Sequence, residues 1–286
     1  MPRADSWAAT RQNTLLAALP DFERERVERN LQPVFLPVGE ALYEPGIRLD
    51  YAYFPTTAMV SLEYLMADGA SAAIAVVGSE GLVGIALIMG GESRPNQAVV
   101  QIAGWAYRLT SRFLREEFAR GGPLQRLLLR YTMALIVQTA QTAVCNRHHS
   151  IDQQLCRWLL LTQDRVRSPV LTTTHEQIAH MLGVRREGVS EAAGILQGSG
   201  LLHCSRGRIT VVDRTGIEEH CCECYGVVKR EFDRLLPNVV PPAVASPYRS
   251  GCYSTWNACP GAESSAPACR GSLGDRVAPL MDRASI

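Results

Sequence analysis

Hydrophobic and polar positions follow two different patterns along this chain. Between residues 32 and 109, short apolar or alternating runs are separated by Gly, Pro and Asp-Gly, and this pattern predicts β-strands. Residues 67–70 have the sequence Ala-Asp-Gly-Ala between two apolar runs, which indicates a hairpin turn. Strands at this density predict a small antiparallel barrel or roll. Before and after them, the apolar positions recur at helical spacing.

The segment before the strands is predicted to be a packing helix that restarts at Pro20-Asp21. Its apolar positions are Leu15, Leu16, Leu19, Phe22 and Val27.

The segment after the strands contains a short helix at 111–119 and a long helix from Pro123 to about Asn146. Proline suits the first turn of a helix. The apolar arc of the long helix is too wide for a lone surface helix, and pairing with a second copy of the chain would bury the excess. We therefore expect a homodimer. Burial of the whole arc against the strand domain is the alternative.

The stretch from Thr172 to Asp213 has the pattern of a winged helix-turn-helix. Thr174 and Gln177 form a predicted capping box at the start of one helix, which ends at Gly183. A second helix is predicted from about Arg186 to Gln197, and its inward positions are Val189, Ala193 and Leu196. A short hairpin centred on residues 205–208 follows. Two amphipathic helices around a glycine also occur in many helical proteins, but a basic hairpin directly after them favours a DNA reader.

The exposed first turn of the second helix carries Arg185, Arg186, Glu187 and Ser190. In the major groove, arginine can bond guanine bidentately and glutamate can accept from the cytosine amino group. Thr174 lies at the start of the preceding helix, and the hairpin carries the cations Arg206 and Arg208, which suit phosphate contacts. These residues are the predicted contacts with double-stranded DNA.

Composition narrows the classes of function. The chain has 286 residues, 47% hydrophobic and 20% charged, with a net charge of +1. DNA affinity must therefore come from local cations rather than from overall charge. No apolar run reaches the roughly 20 residues of a membrane helix, and the first residues lack the apolar core of a signal peptide, so we expect a cytoplasmic protein without membrane contact. Without a phosphate loop, a GxSxG or an HExxH motif, we predict neither an enzyme nor a cofactor.

Nine cysteines are many for a cytoplasmic chain, and an odd number argues against a disulfide framework. The cluster His220-Cys221-Cys222-Glu223-Cys224 could bind zinc or copper or act as a redox switch. However, five consecutive residues on one helix do not easily supply four tetrahedral ligands, and His203 and Cys204 could complete a site only through tertiary folding. We predict no metal site and keep a thiol- or metal-responsive regulator as the alternative. Arg147, His148 and His149 end the predicted dimer helix and are interpreted as capping its negative end rather than binding a metal.

A β-roll, a long helix and a C-terminal winged helix-turn-helix, in this order, resemble the Crp/Fnr family of bacterial transcription regulators. The resemblance is strongest in THEQIAHMLGVRREGVS and RGRITVVD. It implies an α+β fold with a cyclic-nucleotide-binding-like sensor (14–122), a dimerisation helix (123–147) and a DNA-binding domain (150–236). Residues 237–286, rich in Pro, Ser, Gly and Ala, are predicted to be a disordered tail.

By this resemblance the protein is a homodimer that binds a palindromic operator and has RNA polymerase as a partner. Arg186 and Glu187 occupy the positions with which the family reads bases. The family often carries a second arginine where this chain has Glu191, so the operator is expected to differ from that of the best-known members.

The sensor domain departs further from the family pattern. Members that bind cyclic nucleotides hold the ribose with a glutamate after a glycine and the phosphate with an arginine. Alignment on Gly84 and Ala98 places Ile85 at the glutamate position, and Asn96 and Gln97 at the arginine and serine positions. Control by a cyclic nucleotide is therefore not expected, and the effector is left open.

Two further comparisons with the family concern Arg94 and the cysteines. Arg94 lies two residues from the arginine position and could substitute for it, but Pro95 makes a shift in register unfavourable. Iron-sulfur members use cysteines near the N-terminus. The first cysteine here is Cys145, which excludes a cluster of that kind.

Overall fold

The N-terminal half of the chain forms an antiparallel β-roll. The computed structural model describes residues 10–67, 71–91, 93 and 95–236, so the predicted tail at 237–286 lies outside it. One sheet has the order β1-β7-β3 and the other β2-β6-β4-β5. The strands are β1 (Gln32–Leu36), β2 (Ala41–Tyr43), β3 (Tyr51–Pro55), β4 (Met59–Leu65), β5 (Ser71–Val77), β6 (Gln97–Ile102) and β7 (Gly104–Thr110).

The predicted hairpin is confirmed by antiparallel pairing of β4 with β5, from Val60 opposite Val77 to Leu65 opposite Ser71. Most of the turn of this hairpin, residues 68–70, lies outside the described residues. Alternate side chains fill the interior of the roll, including Leu36, Phe54, Leu62 and Val77, all buried. Such alternation is what a strand with one buried face requires.

The N-terminal segment packs on the roll as α1 (Thr14–Ala17) and α2 (Asp21–Glu28), separated by Pro20 as predicted. Leu15, Leu16, Leu19 and Val27 are buried. The prediction for Phe22 is wrong, because this side chain is 65% exposed. It lies in the first turn of α2, on the side away from the roll, because the proline restart changes the phase of the helical pattern.

Two helices follow the roll: α3 (Ser111–Ala119) and the long α4 (Pro123–His148). One face of α4 packs into the core of the roll through Leu124, Leu128, Tyr131 and Leu135. A second stripe stays open, with exposures of 47–53% at Leu129, Met133, Ile136 and Val144. The strand domain therefore covers only part of the apolar arc.

Two residues separate helix α5 (Ile151–Val166) from the end of α4. Ser150 and Gln153 form the capping box of α5. Arg165 ties this helix to the roll and to α4. Its guanidinium lies 2.8 Å from the Glu80 carboxylate and donates to the Gln138 side chain at 2.6 Å. A second core, built around Leu155, Leu159 and Leu160, packs α5 against the helices and strands that follow it.

The C-terminal domain contains α6 (His175–Leu182), α7 (Arg186–Gly198) and the hairpin β9 (Leu202–Ser205) and β10 (Arg208–Val211), close to the predicted bounds. A short third strand that was not predicted, β8 (Val170–Thr172), pairs with β10. This strand is three residues long and is stabilised by a partner distant in sequence, so periodicity cannot reveal it.

The helical segment after Asp213 consists of two helices, α8 (Arg214–His220) and α9 (Glu223–Leu235). The expectation that residues 220–224 lie on one helix is therefore wrong. Cys221 and Cys222 both adopt extended backbone conformations between them. Within the described residues, every helix is too short or too polar to cross a bilayer.

Candidate nucleic-acid interface

The start of α6 is held by the predicted capping box. The Gln177 amide donates to the Thr174 hydroxyl at 3.2 Å, and the Thr174 amide donates to the Gln177 side chain at 2.9 Å. The helix ends at Gly183, whose φ of 67° is the left-handed conformation that glycine adopts without strain. The local sequence therefore determines both ends of this helix.

Helix α7 buries Val189, Ala193 and Leu196, as predicted, and this orients its polar positions outward. Arg185, Arg186, Glu187 and Ser190 are all exposed. The Ser190 hydroxyl donates to the Arg186 carbonyl at 3.1 Å and lies 3.0 Å from His175 Nδ1. The sequence reading missed His175, although its place directly after the capping threonine could have indicated it.

A groove runs between the first turns of α6 and α7 and the turn of the β9–β10 hairpin. Three of the predicted contacts line it: Thr174, Arg186 and Arg206. Glu176 also lines it, and its carboxylate lies 3.8 Å from Arg186 Nε. Both side chains are well exposed, and an ion pair of this kind contributes little stability. Arg186 is therefore free to exchange this partner for another acceptor.

A second groove lies between the N-terminal end of α7 and the β-roll. It is lined by Arg185, Arg186 and Glu187 together with Ser71 and His180. The Ser71 hydroxyl lies 2.6 Å from His180 Nε2, so α6 contacts the first residue of β5 directly. Ser190 and Arg208 line neither groove. The structure thus places five of the seven predicted contacts along two grooves, with Arg186 in both.

The positions of the family's cyclic-nucleotide anchors hold different side chains. Ile85 is buried in the core of the roll, at the start of a 3-10 helix. Asn96 is also buried and donates to the Tyr43 hydroxyl at 3.4 Å. Gln97 donates to the buried Glu63 carboxylate at 3.3 Å. At these three positions the chain offers neither a carboxylate nor a cation, and Arg94 lies outside the described residues.

The cysteine cluster is arranged differently from the sequence-based expectation. His220 lies 3.1 Å from the Asp152 carboxylate. Cys222 and Cys224 face Cys145 and His149 at the end of α4, whereas His203 and Cys204 lie in the β9 strand of the wing. The interpretation of His149 as a cap alone is therefore incomplete, because its ring joins a cluster of thiols.

The protonation of these thiols is coupled through hydrogen bonds. Hydrogen bonds from the Cys145 and Cys221 thiols hold the pKa of the Cys222 thiol well below its usual range. The same bond to Cys222, together with burial, raises the pKa of Cys145. The two shifts run in opposite directions because the same hydrogen bond favours the charged form of Cys222 and the neutral form of Cys145.

Known proteins share both the C-terminal domain and the fold. Residues 153–220 match the family described as the Crp-like helix-turn-helix domain. FixK2 from Bradyrhizobium japonicum is similar in structure, with 18% identity over 67% of this chain and 98% of that chain and a TM-score of 0.57. The CRP-family regulator TTHB099 from Thermus thermophilus has 19% identity over 65% and 95%, with a TM-score of 0.55. CLP of Xanthomonas campestris, a c-di-GMP responsive regulator, has 16% identity over 66% and 97%, with a TM-score of 0.54. No curated protein sequence matches the chain.

The match assigns residues 153–220 to a Crp-like helix-turn-helix domain. The roll, the long helix and the winged domain have the fold of the solved Crp/Fnr-family regulators. The resemblance inferred from the sequence is thereby confirmed for this domain and for the fold.

Proposed function

We propose that this protein is a homodimeric regulator that reads a palindromic operator through α7 and contacts phosphates through the β9–β10 hairpin. One observation carries the proposal: Thr174, Arg186 and Arg206 share a groove between the two helices and the wing. An α-helix whose first turn is exposed in this way fits the major groove, and a flanking cation fits the adjacent phosphates. Arg186 and Glu187 are the base-reading residues, and Arg185, Ser190 and Arg208 add polar contacts around them.

Sequencing of DNA fragments that the purified protein selects from a random pool tests this proposal. We expect two inverted half-sites about one helical turn apart, roughly 34 Å, because a twofold dimer repeats its recognition helix at that distance. Recovery of fragments without any shared sequence would contradict it.

The open stripe on α4 supports the homodimer. Leu129, Met133, Ile136 and Val144 recur at helical spacing and are about half exposed, and burial against a second copy removes them from water. We expect Met133→Glu to convert the dimer to a monomer in sedimentation experiments. Met89→Glu is the matched control, because Met89 is 60% exposed but lies on the roll. Equal sedimentation of both variants and the unmodified chain would contradict this dimer face.

We infer that the regulator does not respond to cAMP or cGMP. Ile85 and Asn96 support this inference, because a buried phosphate needs a paired cation and a ribose needs polar partners. Isothermal titration of the full chain with either nucleotide is expected to show no binding. Saturable binding that strengthens affinity for the selected operator would contradict it.

Contact with RNA polymerase remains a further part of the proposal and follows from the family alone. Transcription in vitro from a promoter placed beside the selected operator tests it. A change in transcript level that requires both the operator and the protein is expected.

A further inference from the structure

Four side chains with metal-binding atoms meet where the end of α4 contacts the start of α9. Cys145 lies in the last turn of α4, and His149 caps the end of that helix, where its backbone N–H donates to the Cys145 carbonyl at 3.0 Å. Cys222 is the N-terminal cap of α9, and Cys224 lies in its first turn. Their three sulfurs and one ring nitrogen all lie within 4.8 Å of one another. The break between α8 and α9 makes this possible, because the extended backbone there allows both Cys222 and Cys224 to face α4.

Two of the distances between these atoms match those of tetrahedral coordination. In a tetrahedral zinc site, bond lengths of about 2.3 Å to sulfur and about 2.0 Å to nitrogen place two sulfurs about 3.8 Å apart, and a sulfur about 3.5 Å from the nitrogen. Cys145 Sγ and Cys222 Sγ are 3.7 Å apart, and Cys224 Sγ is 3.4 Å from His149 Nδ1. We propose that Cys145, His149, Cys222 and Cys224 form a Cys₃His site for a zinc ion.

Neighbouring side chains orient these ligands as in known metal sites. The other ring nitrogen of His149, Nε2, lies 3.4 Å from the Glu223 carboxylate, which keeps Nδ1 directed at the sulfurs. The Gln141 side chain donates to Cys224 Sγ at 3.0 Å. A carboxylate behind a histidine ligand holds its orientation and increases its basicity. The contacts that Glu223 and Gln141 make therefore fit a metal site better than they fit a cluster of inert thiols.

A buried cation beside the cluster completes the charge balance. Arg157 is 4% exposed and donates to the Thr142 hydroxyl at 3.0 Å, one turn before Cys145. Within the described residues it pairs with no carboxylate, and its Nε has no hydrogen-bond partner. A divalent ion with three thiolates and a neutral imidazole carries one net negative charge, and Arg157 offsets it. The three thiol protons leave to solvent as the metal-sulfur bonds form.

The location of the site suggests what the metal controls. His149 is the only residue between α4 and Ser150, the cap of the first helix of the DNA-binding domain. A zinc ion therefore ties this hinge to α9 and restricts the orientation of the winged domain. This consequence for DNA binding rests on the proposed function, whereas the metal site does not.

Metal analysis of the full chain, purified with reductant and without chelator, tests the site. We expect about one zinc per chain, and after its removal a cobalt(II) titration with the absorption of tetrahedral thiolate coordination. Cys145→Ser and Cys224→Ser lose both signals. Cys204→Ser, in the wing, and Cys221→Ser, next to the cluster but outside it, keep them. The proposal is overturned if the chain holds far less than one zinc and gives no cobalt spectrum, or if Cys145→Ser keeps its full zinc content. It is also overturned if the reduced protein binds no metal and forms only a disulfide on oxidation.

A milder variant tests the contact that orients His149 without removing any of the four ligands. Glu223→Gln leaves all four ligands in place and is expected to weaken zinc affinity about 10- to 100-fold with unchanged circular dichroism. Unchanged affinity in this variant contradicts the role of Glu223 in orienting His149.

The regulatory consequence is measured separately on the selected operator. Zinc removal is expected to weaken specific DNA binding about tenfold, reversibly. Zinc binding without an effect on DNA affinity overturns the control of DNA binding and leaves the metal site standing. Failure to select any operator bears on the proposed function alone.

Discussion

The helix-turn-helix and the junction between α4 and α9 distribute polar groups in opposite ways. In the former, apolar side chains such as Val189 and Leu196 form the interior and Arg186 and Ser190 face outward. At the junction, thiols and a buried arginine are enclosed, with Cys145 and Cys224 at 0% exposure. The first region is held by its own hydrophobic core and leaves its polar groups free for an external ligand. The second concentrates polar groups inside, where the proposed zinc ion satisfies them.

The largest effect is expected from a substitution in the hydrophobic core of the helix-turn-helix. Leu196→Ala is expected to lower the free energy of unfolding by about 2–5 kcal/mol, because this fully buried side chain leaves a cavity. Denaturant unfolding with and without zinc measures it. The matched control is the neighbouring Ile195→Ala, at 52% exposure, with a change within about 0.5 kcal/mol. If Leu196→Ala lowers the free energy of unfolding only after zinc is removed, the helix-turn-helix is not held by its own hydrophobic core independently of the junction.

The next effect concerns the external ligand. Arg186→Ala is expected to weaken binding to the selected operator by about 1–3 kcal/mol and to relax one base position, because a bidentate contact with a base is lost. Mobility shifts on operator and random DNA measure the difference. Equal losses on both kinds of DNA would show that Arg186 does not face the groove.

A smaller effect concerns the capping of α6. Thr174→Ala is expected to cost about 1 kcal/mol of stability, because the Gln177 amide loses its acceptor. Thr174→Ser keeps a hydroxyl at this position and serves as the control. If both variants unfold at the same denaturant concentration, the capping box does not stabilise the helix.

The smallest effect is expected from substitutions in the wing, the β9–β10 hairpin. Arg206→Ala or Arg208→Ala is expected to weaken binding to operator and random DNA alike and to reduce the salt dependence by about one released ion. Titrations at several salt concentrations measure it. A loss confined to the operator would instead assign base recognition to the hairpin.

The sequence predicted the helix-turn-helix closely because its signals are local. The capping box at Thr174, the left-handed Gly183 and the spacing of the buried face of α7 each depend on residues a few positions apart. The β4–β5 hairpin was predictable for the same reason. The strand β8 was missed and Phe22 was assigned wrongly, because pairing across the sheet and the restart at Pro20 decided their places.

The residue types at the junction were visible in the sequence, but their grouping was not. His220, Cys221, Cys222 and Cys224 lie together along the chain, yet only Cys222 and Cys224 join the cluster. The other two proposed ligands come from the end of α4 and from its cap, and Cys145 lies 77 positions before Cys222 in the sequence.

The sequence by itself determined the elements, the cap and the buried and exposed faces of the helix-turn-helix, because each depends on helical or strand periodicity over a few residues. Only the tertiary structure decided which surfaces meet: the packing of α4 on the roll, the division of the predicted contacts between two grooves, and the convergence of the thiols with His149. These depend on contacts between elements distant in the chain, which no local pattern encodes.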